Sequence, residues 1–223
     1  MVAQRLTVVV PTLNEAHGIR AALEALAPLR ARGHELIVAD GGSSDATAFQ
    51  ARGLCDQIVH APRGRAAQMN AGADAAKGDA LLFLHADTQL PVTAAEAVLA
   101  ALATHAWGRF DVRIQGRHPL LKIVACAMNL RSRLTGIATG DQAIFVRRDA
   151  FRGFPEIALM EDIAFCKAMK RRSPPACLRD TVLTSGRRCE SRGVLRTIVL
   201  MWRLRLLYFL GASPERLVRL YEK

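Results

Sequence analysis

The chain has 223 residues, of which 51% are hydrophobic, and it carries a formal net charge of +11. This size and composition predict one domain with a substantial core, and no stretch reaches the roughly 20 uninterrupted apolar residues that a membrane-spanning helix needs. The five cysteines include no Cys-x-x-Cys pair, which argues against a zinc module and favours a reduced, cytoplasmic chain.

The positive charge belongs to the second half of the chain. Residues 1–107 carry 8 basic and 10 acidic side chains, a net charge of −2, whereas residues 108–223 carry 23 and 10, a net charge of +13. Such a field favours anionic partners, including diphosphates and anionic membranes. Aromatic residues make up only 5% of the chain, so the interleaved aromatics of a nucleic-acid-binding module are missing and we expect no nucleic-acid partner.

Four short apolar runs in the first 87 residues are each followed by a candidate helix. The runs are Leu6–Val10, Glu35–Ala39, Gln57–His60 and Ala80–His85, and the helices begin near Glu15, Asp45, Arg65 and Pro91. This alternation predicts an α/β fold with a mostly parallel central sheet flanked by helices. Ligands of such sheets bind beyond the carboxyl ends of the strands, so the residues after each run are the candidates for chemistry.

The second half has a less regular pattern. It predicts a strand at Arg109–Ile114, a helix at Leu120–Leu134, a strand at Ala143–Val146, a helix from about Met160 and a long apolar segment at Val194–Leu210. No linker or repeat separates these elements from the first half. We therefore expect residues 1–223 to form a single domain.

Two acidic residues follow strands of the predicted sheet. Asp40 precedes Gly41 and Gly42, so its carboxylate could accept an N–H group of a nucleotide base while the glycines allow close approach. Asp87 stands where an oxygen ligand would meet a metal ion that bridges two phosphates, with His85 as a softer ligand. The alternative for Asp87 is a cap for the following turn, and for His85 a hydrogen bond to backbone.

The pair Glu161 and Asp162 begins a predicted helix. Acidic residues are favoured in a first helical turn by the helix dipole, which is a purely structural explanation. The same dipole favours an ionised Asp162, as a general base requires. Arg187 and Arg188 lie in a loop suited to bidentate contacts with a diphosphate, and Arg65 stands at a predicted helix N-terminus that suits anions.

Four motifs occur in one order along the chain. They are Pro11-Thr-Leu-Asn-Glu15, Asp40-Gly-Gly-Ser43, Gly78-Asp79 leading to Asp87, and Glu161-Asp-Ile-Ala-Phe165. In this order they resemble family 2 glycosyltransferases over residues 6–190. The resemblance implies a GT-A fold, a nucleoside-diphosphate sugar donor, a divalent cation (Mg²⁺ or Mn²⁺) and inversion at the anomeric carbon.

The resemblance also implies roles for individual residues. The first loop, with Pro11, Asn14 and Glu15, would face the nucleoside. Asp40, with Gly41, would bind the base, Asp87 the metal and diphosphate, and Asp162, beside Glu161, would be the general base. Arg187 and Arg188 resemble the late arginine loop. In this scheme residues 1–107 bind the nucleotide sugar, and residues 108–223 bind a small-molecule or lipid acceptor.

The sequence departs from the family at two positions. His85 replaces the first carboxylate of the Asp-x-Asp pattern, and Cys189 stands where many members have Trp. Further motifs, including Gly140-Asp-Gln-Ala-Ile-Phe145, are similar to a small bacterial subgroup labelled arsenosugar-biosynthesis-associated glycosyltransferases. The competing interpretations are a nucleotidyltransferase, a sugar-nucleotide-binding protein and an inactive relative.

The segment Val194–Leu210 is apolar on almost every side. On a helical wheel Arg196 and Arg203 share one face, whereas Arg205 falls on the opposite one. Burial within the monomer is the simplest explanation. The all-round apolar character also predicts a contact surface for a second subunit or for an anionic membrane at the inner face of the cell membrane.

Overall fold

A computed structural model describes residues 4–221, except for the side chains of Arg188, Ser191 and Arg192. The described residues form an eight-stranded sheet. Its strands are β1 (Leu6–Thr12), β2 (Glu35–Asp40), β3 (Gln57–His60), β4 (Ala80–Phe83), β5 (Thr88–Gln89), β6 (Trp107–Gln115), β7 (Phe145–Arg147) and β8 (Ala176–Ser185). Their order in the sheet is β3-β2-β1-β4-β7-β6-β8-β5.

The first four strands form the parallel half of the sheet. β1 pairs in parallel with both β2 and β4, and β2 pairs in parallel with β3. β2 and β4 are buried along their whole length, as expected for apolar strands covered on both faces. The carboxyl ends of β1 and β2 lie side by side, with Thr12 opposite Asp40. The predicted α/β fold with a mostly parallel sheet is confirmed.

The other half of the sheet mixes directions. β7 is antiparallel to β4 and β6, β8 is parallel to β6, and β5 is antiparallel to β8. The strand predicted at Ala143–Val146 begins instead at Phe145, because Ala143 takes up a left-handed conformation (φ 45°). The run predicted at Ala80–His85 ends as a strand at Phe83, and the residues after it turn towards β5.

Helices cover both faces of the sheet. They are α1 (Ile19–Ala31), α2 (Thr47–Ala51), α3 (Arg65–Ala75), α4 (Ala94–Leu102), α5 (Leu120–Thr135), α6 (Glu161–Lys170), α7 (Arg187–Arg192), α8 (Val194–Phe209) and α9 (Pro214–Tyr221), with short 3-10 helices at Gly140–Gln142 and Arg148–Ala150. One core cluster joins α1 and α4 to one face of the sheet, and a second joins α3 and α6 to the other.

Two helices begin three or four residues later than the sequence predicts, and α2 begins two residues later than Asp45, at Thr47. A helix was expected from Glu15, but the Glu15 carbonyl accepts N–H groups from Gly18 and Ile19 in a turn, and α1 begins at Ile19. A helix was expected from Pro91, but a turn precedes α4, in which the Ala94 N–H donates to the Pro91 carbonyl. In both places the turn extends the polar loop that follows a strand.

The helix α8 has an inner and an outer apolar face. Leu204 is fully buried in a cluster with α6 and α9. The outer face carries large apolar side chains that are 58–78% exposed, namely Leu195, Val199, Trp202, Leu206 and Phe209. Burial within the monomer therefore accounts for one face of α8 only. In the described part of the chain, no helix combines the length and apolar character needed to cross a membrane.

Candidate active site

The buried carboxylate of Asp40 shapes the loop that follows β2. Its Oδ2 accepts the backbone N–H groups of Gly42 at 3.1 Å and Ser43 at 2.9 Å. Its Oδ1 accepts the hydroxyl groups of Ser43 at 2.5 Å and Thr12 at 3.3 Å. Three of these four hydrogen bonds fix the Gly-Gly-Ser turn and the fourth ties Asp40 to β1, so the groups that this turn offers to a ligand depend on Asp40.

The first loop, after β1, is joined to the Asp40 loop. Asn14 has a left-handed backbone (φ 55°), which asparagine tolerates better than most residues. Its N–H donates to Ser43 Oγ at 2.9 Å, and its Oδ1 accepts the N–H of Ser44 at 2.9 Å. The N–H of Glu15 donates to Thr47 Oγ1 at 2.8 Å. The two loops thus form one polar surface at the ends of β1 and β2.

The side chain of Gln68 supports this surface from below. It is buried on α3, and its Nε2 donates to the carbonyls of Thr12 at 2.6 Å and Ala39 at 3.1 Å. Gly41 lies directly above it, since a Cβ at Gly41 would come within 2.9 Å of the Gln68 side chain. Pro11 lies in β1 opposite Ala39. Only glycine at position 41 lets the loop approach Gln68 this closely.

Asp87 is exposed and lies beside the late arginine loop. Its carbonyl accepts the N–H of Ser185 at 3.2 Å, and Thr88 Oγ1 donates to Thr184 Oγ1 at 3.0 Å. Arg187 follows at the start of α7, where its Nε donates to Ser185 Oγ at 3.3 Å. The pairing of β5 with β8 therefore brings the Asp87 carboxylate and the Arg187 loop together, although they are 100 residues apart in sequence.

His85 is held between two residues of the 3-10 helix at Gly140–Gln142. Its Nδ1 lies 3.3 Å from Asp141 Oδ1. Its Nε2 is buried without a hydrogen-bond partner among the described residues, against Gly140, where a Cβ would overlap the ring. A carboxylate on one ring nitrogen is the usual support of a metal-bound histidine. Here, however, the Gly140 turn covers the other nitrogen.

Asp162 lies in the first turn of α6 and is oriented by backbone donors. Its Oδ2 accepts the N–H of Gly140 at 3.0 Å, and its Oδ1 accepts the N–H of Ile163 at 2.7 Å. Gly140 therefore contacts His85 with one side and orients Asp162 with its N–H group. This small turn links the residues after β4 to the start of α6.

Glu161 connects α6 to the start of α3. Its side chain is buried, and its Oε1 lies 3.5 Å from Nη1 of the half-exposed Arg65. Burial raises the pKa of Glu161, and the neighbouring Asp162 raises it further, whereas Arg65 and His85 act in the opposite direction. Arg65 thus places a positive charge at the N-terminus of α3 and, at the same time, links the two acidic residues to the β1–β2 side of the site.

The described residues contain no group of three or more His, Cys, Asp or Glu side chains arranged to hold a metal ion. A cage made of protein ligands alone is therefore absent from this part of the chain. Mg²⁺ in nucleotide sites is commonly held by one or two carboxylates together with substrate phosphates, and the exposed Asp87 fits that role. The side chain of Arg188, also predicted to face the diphosphate, lies outside the described residues.

Four residues near the site were missed by the sequence reasoning. They are Gln68, Arg131, Asp141 and Arg205. Asp141 lies within a motif that the sequence analysis quoted without giving it a role. The position of Arg205 was informative, because it places a charge in an apolar helix on the face opposite Arg196 and Arg203. Gln68 likewise lies in a motif, Gly64-Arg-Ala-Ala-Gln-Met-Asn70, that is similar to the same bacterial subgroup. Arg131 gave no signal, because a polar residue on a predicted helix is normally solvated.

Comparisons with known proteins agree with this arrangement. The model of the family "Glycosyl transferase family 2" matches residues 7–154. PGL/p-HBAD biosynthesis glycosyltransferases of Mycobacterium bovis and Mycobacterium tuberculosis are 36% identical over 97 residues, which covers 40% of this chain and 38% of theirs. The match thus spans well under half of these relatives.

Solved structures share the fold at low sequence identity. S. aureus TarS 1-349, in complex with UDP-GlcNAc, has a TM-score of 0.65 and 19% identity, covering 82% of this chain and 58% of that one. The mannosyltransferase PcManGT from Pyrobaculum calidifontis, in complex with GDP-Man and Mn²⁺, has a TM-score of 0.64 and 23% identity, covering 90% and 60%. These likenesses establish the fold of the chain.

Proposed function

Because this chain belongs to glycosyl transferase family 2, we propose that it transfers a sugar from a nucleoside-diphosphate sugar to an acceptor hydroxyl. One observation carries the proposal. Contacts connect the segments of the four family motifs. Asn14 of the first loop donates to Ser43 of the Asp40 loop, Gln68 on α3 donates to the Thr12 carbonyl, and Arg65 on the same helix pairs with Glu161. Gly140 lies against His85, two residues before Asp87, and donates to Asp162. A purely structural role for each residue would not require this continuity.

The β1–β2 surface is the proposed nucleoside site. Pro11, Asn14 and Glu15 line one side, and the Asp40 loop with Gly41 lines the other. Asp40 acts partly by holding the turn, because its four internal hydrogen bonds occupy much of its accepting capacity. Asp40 stabilises the bound donor equally in the ground state and in the transition state, so it increases donor affinity and does not accelerate the chemical step.

The proposed diphosphate site lies where Asp87 meets Arg187, with Arg188 and Arg65 as further positive charges. A divalent cation, Mg²⁺ or Mn²⁺, would be held by Asp87 and by diphosphate oxygens, and would neutralise the charge of the departing diphosphate. Several solved proteins of this fold are complexes with Mn²⁺. His85 could join such a cation only if the turn at Gly140 moved away from its Nε2.

Asp162 is the proposed general base. The acceptor oxygen attacks the anomeric carbon and forms the new glycosidic bond, while the bond from that carbon to the diphosphate breaks and its electron pair leaves with the diphosphate. The acceptor proton passes to the Asp162 carboxylate. Attack from the face opposite the leaving group inverts the anomeric carbon. Glu161 helps to orient Asp162 and, through Arg65, connects it to the donor side.

The proposed acceptor is a small molecule or a lipid, met on the side formed by residues 108–223. The exposed apolar face of α8, together with the net charge of +13 on this half, supports contact with an anionic membrane from the cytoplasmic side. The alternative is that a second copy of the chain covers the apolar face of α8. Flotation with phosphatidylglycerol vesicles at low and high salt tests membrane binding, and light scattering tests dimer formation.

A thermal-shift panel of UDP-, GDP- and dTDP-sugars, with and without Mn²⁺, tests the proposed donor. A ligand at 100 times its Kd stabilises the folded state by about 2.7 kcal/mol, which raises the Tm of a chain of this size by about 5–10 °C. We expect one nucleotide class to give this shift and Mn²⁺ to increase it. If no nucleotide sugar raised the Tm, the proposed function would be wrong.

A further inference from the structure

Two arginines near Asp162 have no part in the chemistry described so far. Arg131 lies on α5 and Arg205 on α8, and both side chains are largely buried. The Nε and Nη2 atoms of Arg131 and the Nε atom of Arg205 are buried without a hydrogen-bond partner among the described residues. These are donor groups, and guanidinium groups are almost always paired when they are removed from water.

The segments that carry the two guanidinium groups meet around Asp162. Ser132, next to Arg131, accepts a hydrogen bond from Gln142, two residues after the Gly140 that donates to Asp162, and Leu204, next to Arg205, packs with Met160 and Ile163 on either side of Asp162. Burial and the charge of Arg205 lower the pKa of Arg131 to about 10, against the attraction of Asp162. Burial also lowers the pKa of Arg205, against the attraction of Asp162 and Asp141. Arginine stays protonated in proteins, so both groups carry a positive charge. Within the described residues, neither forms an ion pair with a carboxylate at 4.0 Å or less.

This arrangement costs free energy in the absence of a ligand. Two positive charges that repel each other are partly removed from water, and three of their donor atoms have no hydrogen-bond partner among the described residues. A pair kept only for stability would be expected to lie against a carboxylate or in solvent. An anion placed between the two arginines would satisfy the open donors and remove the repulsion, and arginine suits carboxylates and phosphates because its donors form a fork.

We propose that Arg131 and Arg205 form a binding site for an anionic group, a carboxylate or a phosphate, on the acceptor. This inference rests on the proposed function, since it places that group beside the hydroxyl from which Asp162 removes the proton. The two arginines touch the substrate away from the reacting atoms, and they orient its hydroxyl towards the anomeric carbon. The acceptor is therefore an acid of the sugar-acid or phosphate-ester type, either free in solution or as a lipid headgroup.

The arginine pair is separate from the proposed diphosphate site. Arg187 and Asp87 are held by β5 and β8, whereas Arg131 and Arg205 come from α5 and α8 and interact with Asp162. The structure of α8 favours a lipid headgroup as the source of this anionic group. The helix that carries Arg205 inward carries Trp202 and Leu206 outward, 71% and 58% exposed.

Anion binding to three variants tests the proposal. We would compare Arg131→Met, Arg205→Met and the matched control Arg203→Met, which removes the same charge from an exposed position on α8. With UDP saturating, glycerol 3-phosphate and lactate are titrated as anionic probes and glycerol as a neutral one. Binding to phosphatidylglycerol and phosphatidylcholine vesicles distinguishes a headgroup from a free acid. The affinity for UDP and the Tm without ligands are measured separately.

We expect glycerol 3-phosphate or phosphatidylglycerol to bind the wild-type protein, and Arg131→Met and Arg205→Met each to weaken this binding about tenfold or more. UDP affinity should stay within about twofold, and the Tm without ligand should stay equal or rise, because an unpaired buried charge is removed. Arg203→Met should leave glycerol 3-phosphate binding, UDP affinity and Tm unchanged. It should weaken phosphatidylglycerol binding only through the loss of one surface charge. If the two arginines only stabilised the fold, Arg131→Met and Arg205→Met would instead lower the Tm.

Three results would overturn the inference. They are a wild-type protein that binds none of the anionic probes, variants that bind them as tightly as wild type, and variants that lose UDP affinity as much as anion affinity. The last result would assign the arginines to the donor diphosphate. Where the thermal-shift panel selects GDP or dTDP, that nucleotide replaces UDP in these titrations. Failure of all three nucleotides to bind the wild-type protein would count against the proposed function itself.

Discussion

The turn at Gly140 gives the sharpest test of how the base is positioned. In Gly140→Ala the new Cβ would overlap the buried ring of His85, whose Nδ1 is already held by Asp141. The ring has little room to move, so the turn must shift, and the N–H that donates to Asp162 Oδ2 moves with it. Such overpacking costs about 1–3 kcal/mol, and the bond to a charged group is worth about 1.5–3 kcal/mol.

We expect Gly140→Ala to lower the Tm by about 2–4 °C for each kcal/mol lost, and to lower kcat by about 10- to 100-fold because the base is displaced. Donor affinity should change by less than about twofold, since the β1–β2 loops are untouched. Nucleotide release per folded enzyme measures donor turnover and tests the expected loss of kcat. Calorimetry measures donor affinity and tests whether it stays unchanged.

Gly72→Ala is the matched control for this experiment. Its Cβ would overlap Val9 in the core, so it imposes a similar steric strain away from the site. It should lower the Tm and leave kcat within about twofold of wild type. If Gly140→Ala also lost stability but kept full turnover, the Gly140 turn would not position Asp162, and the reasoning would be refuted.

Three further predictions concern the carboxylates. Asp87→Ala should abolish turnover and the extra stabilisation that Mn²⁺ gives to nucleotide binding, and persistent Mn²⁺-dependent shifts in Tm would contradict the metal assignment. Asp40→Ala should raise the donor KM with a smaller effect on kcat, and should lower the Tm because the turn after β2 loses its acceptor. The pKa of Glu161 is higher in the folded protein than its usual 4.5, so ionisation of Glu161 destabilises the folded state as the pH rises above about 4.5. Glu161→Gln should therefore raise the Tm at neutral pH, and the difference from wild type should vanish at lower pH. An unchanged or lower Tm at pH 7 would contradict this prediction. It would show that the charge of Arg65 fully offsets the cost of burying the ionised Glu161.

The parallel half of the sheet was predictable because its physical signal is local. Strands covered on both faces have nearly continuous apolar runs, and β1, β2 and β4 show them at Val8–Val10, Leu36–Ala39 and Ala80–Phe83. The edge region had no such signal. β8 carries Arg179 and Asp180 and is only partly buried, and it follows two prolines, so nothing in its sequence marked it as a ten-residue strand.

The site residues at the strand ends could be predicted from the sequence, whereas the contacts between distant segments could not. Asp40, Asp87 and Asp162 follow from sheet geometry and motif order. The bond between Gly140 and Asp162 and the packing of Leu204 against Met160 and Ile163 join segments that are far apart in sequence. Helical periodicity placed Arg205 on the face opposite Arg196 and Arg203, but the fold was needed to show that this face meets Asp162.

The role of Asp162 in transfer is the central claim, and one measurement tests it most directly. With the nucleotide sugar selected by the thermal-shift panel, donor Kd and nucleotide release would be measured for wild type, Asp162→Asn and the control Asp74→Asn, an exposed carboxylate near the end of α3. We predict that Asp162→Asn binds the donor within about twofold of wild type and releases nucleotide at least about 100-fold more slowly, while Asp74→Asn matches wild type. Normal release by Asp162→Asn, or loss of donor binding with release unchanged at saturation, would contradict the account.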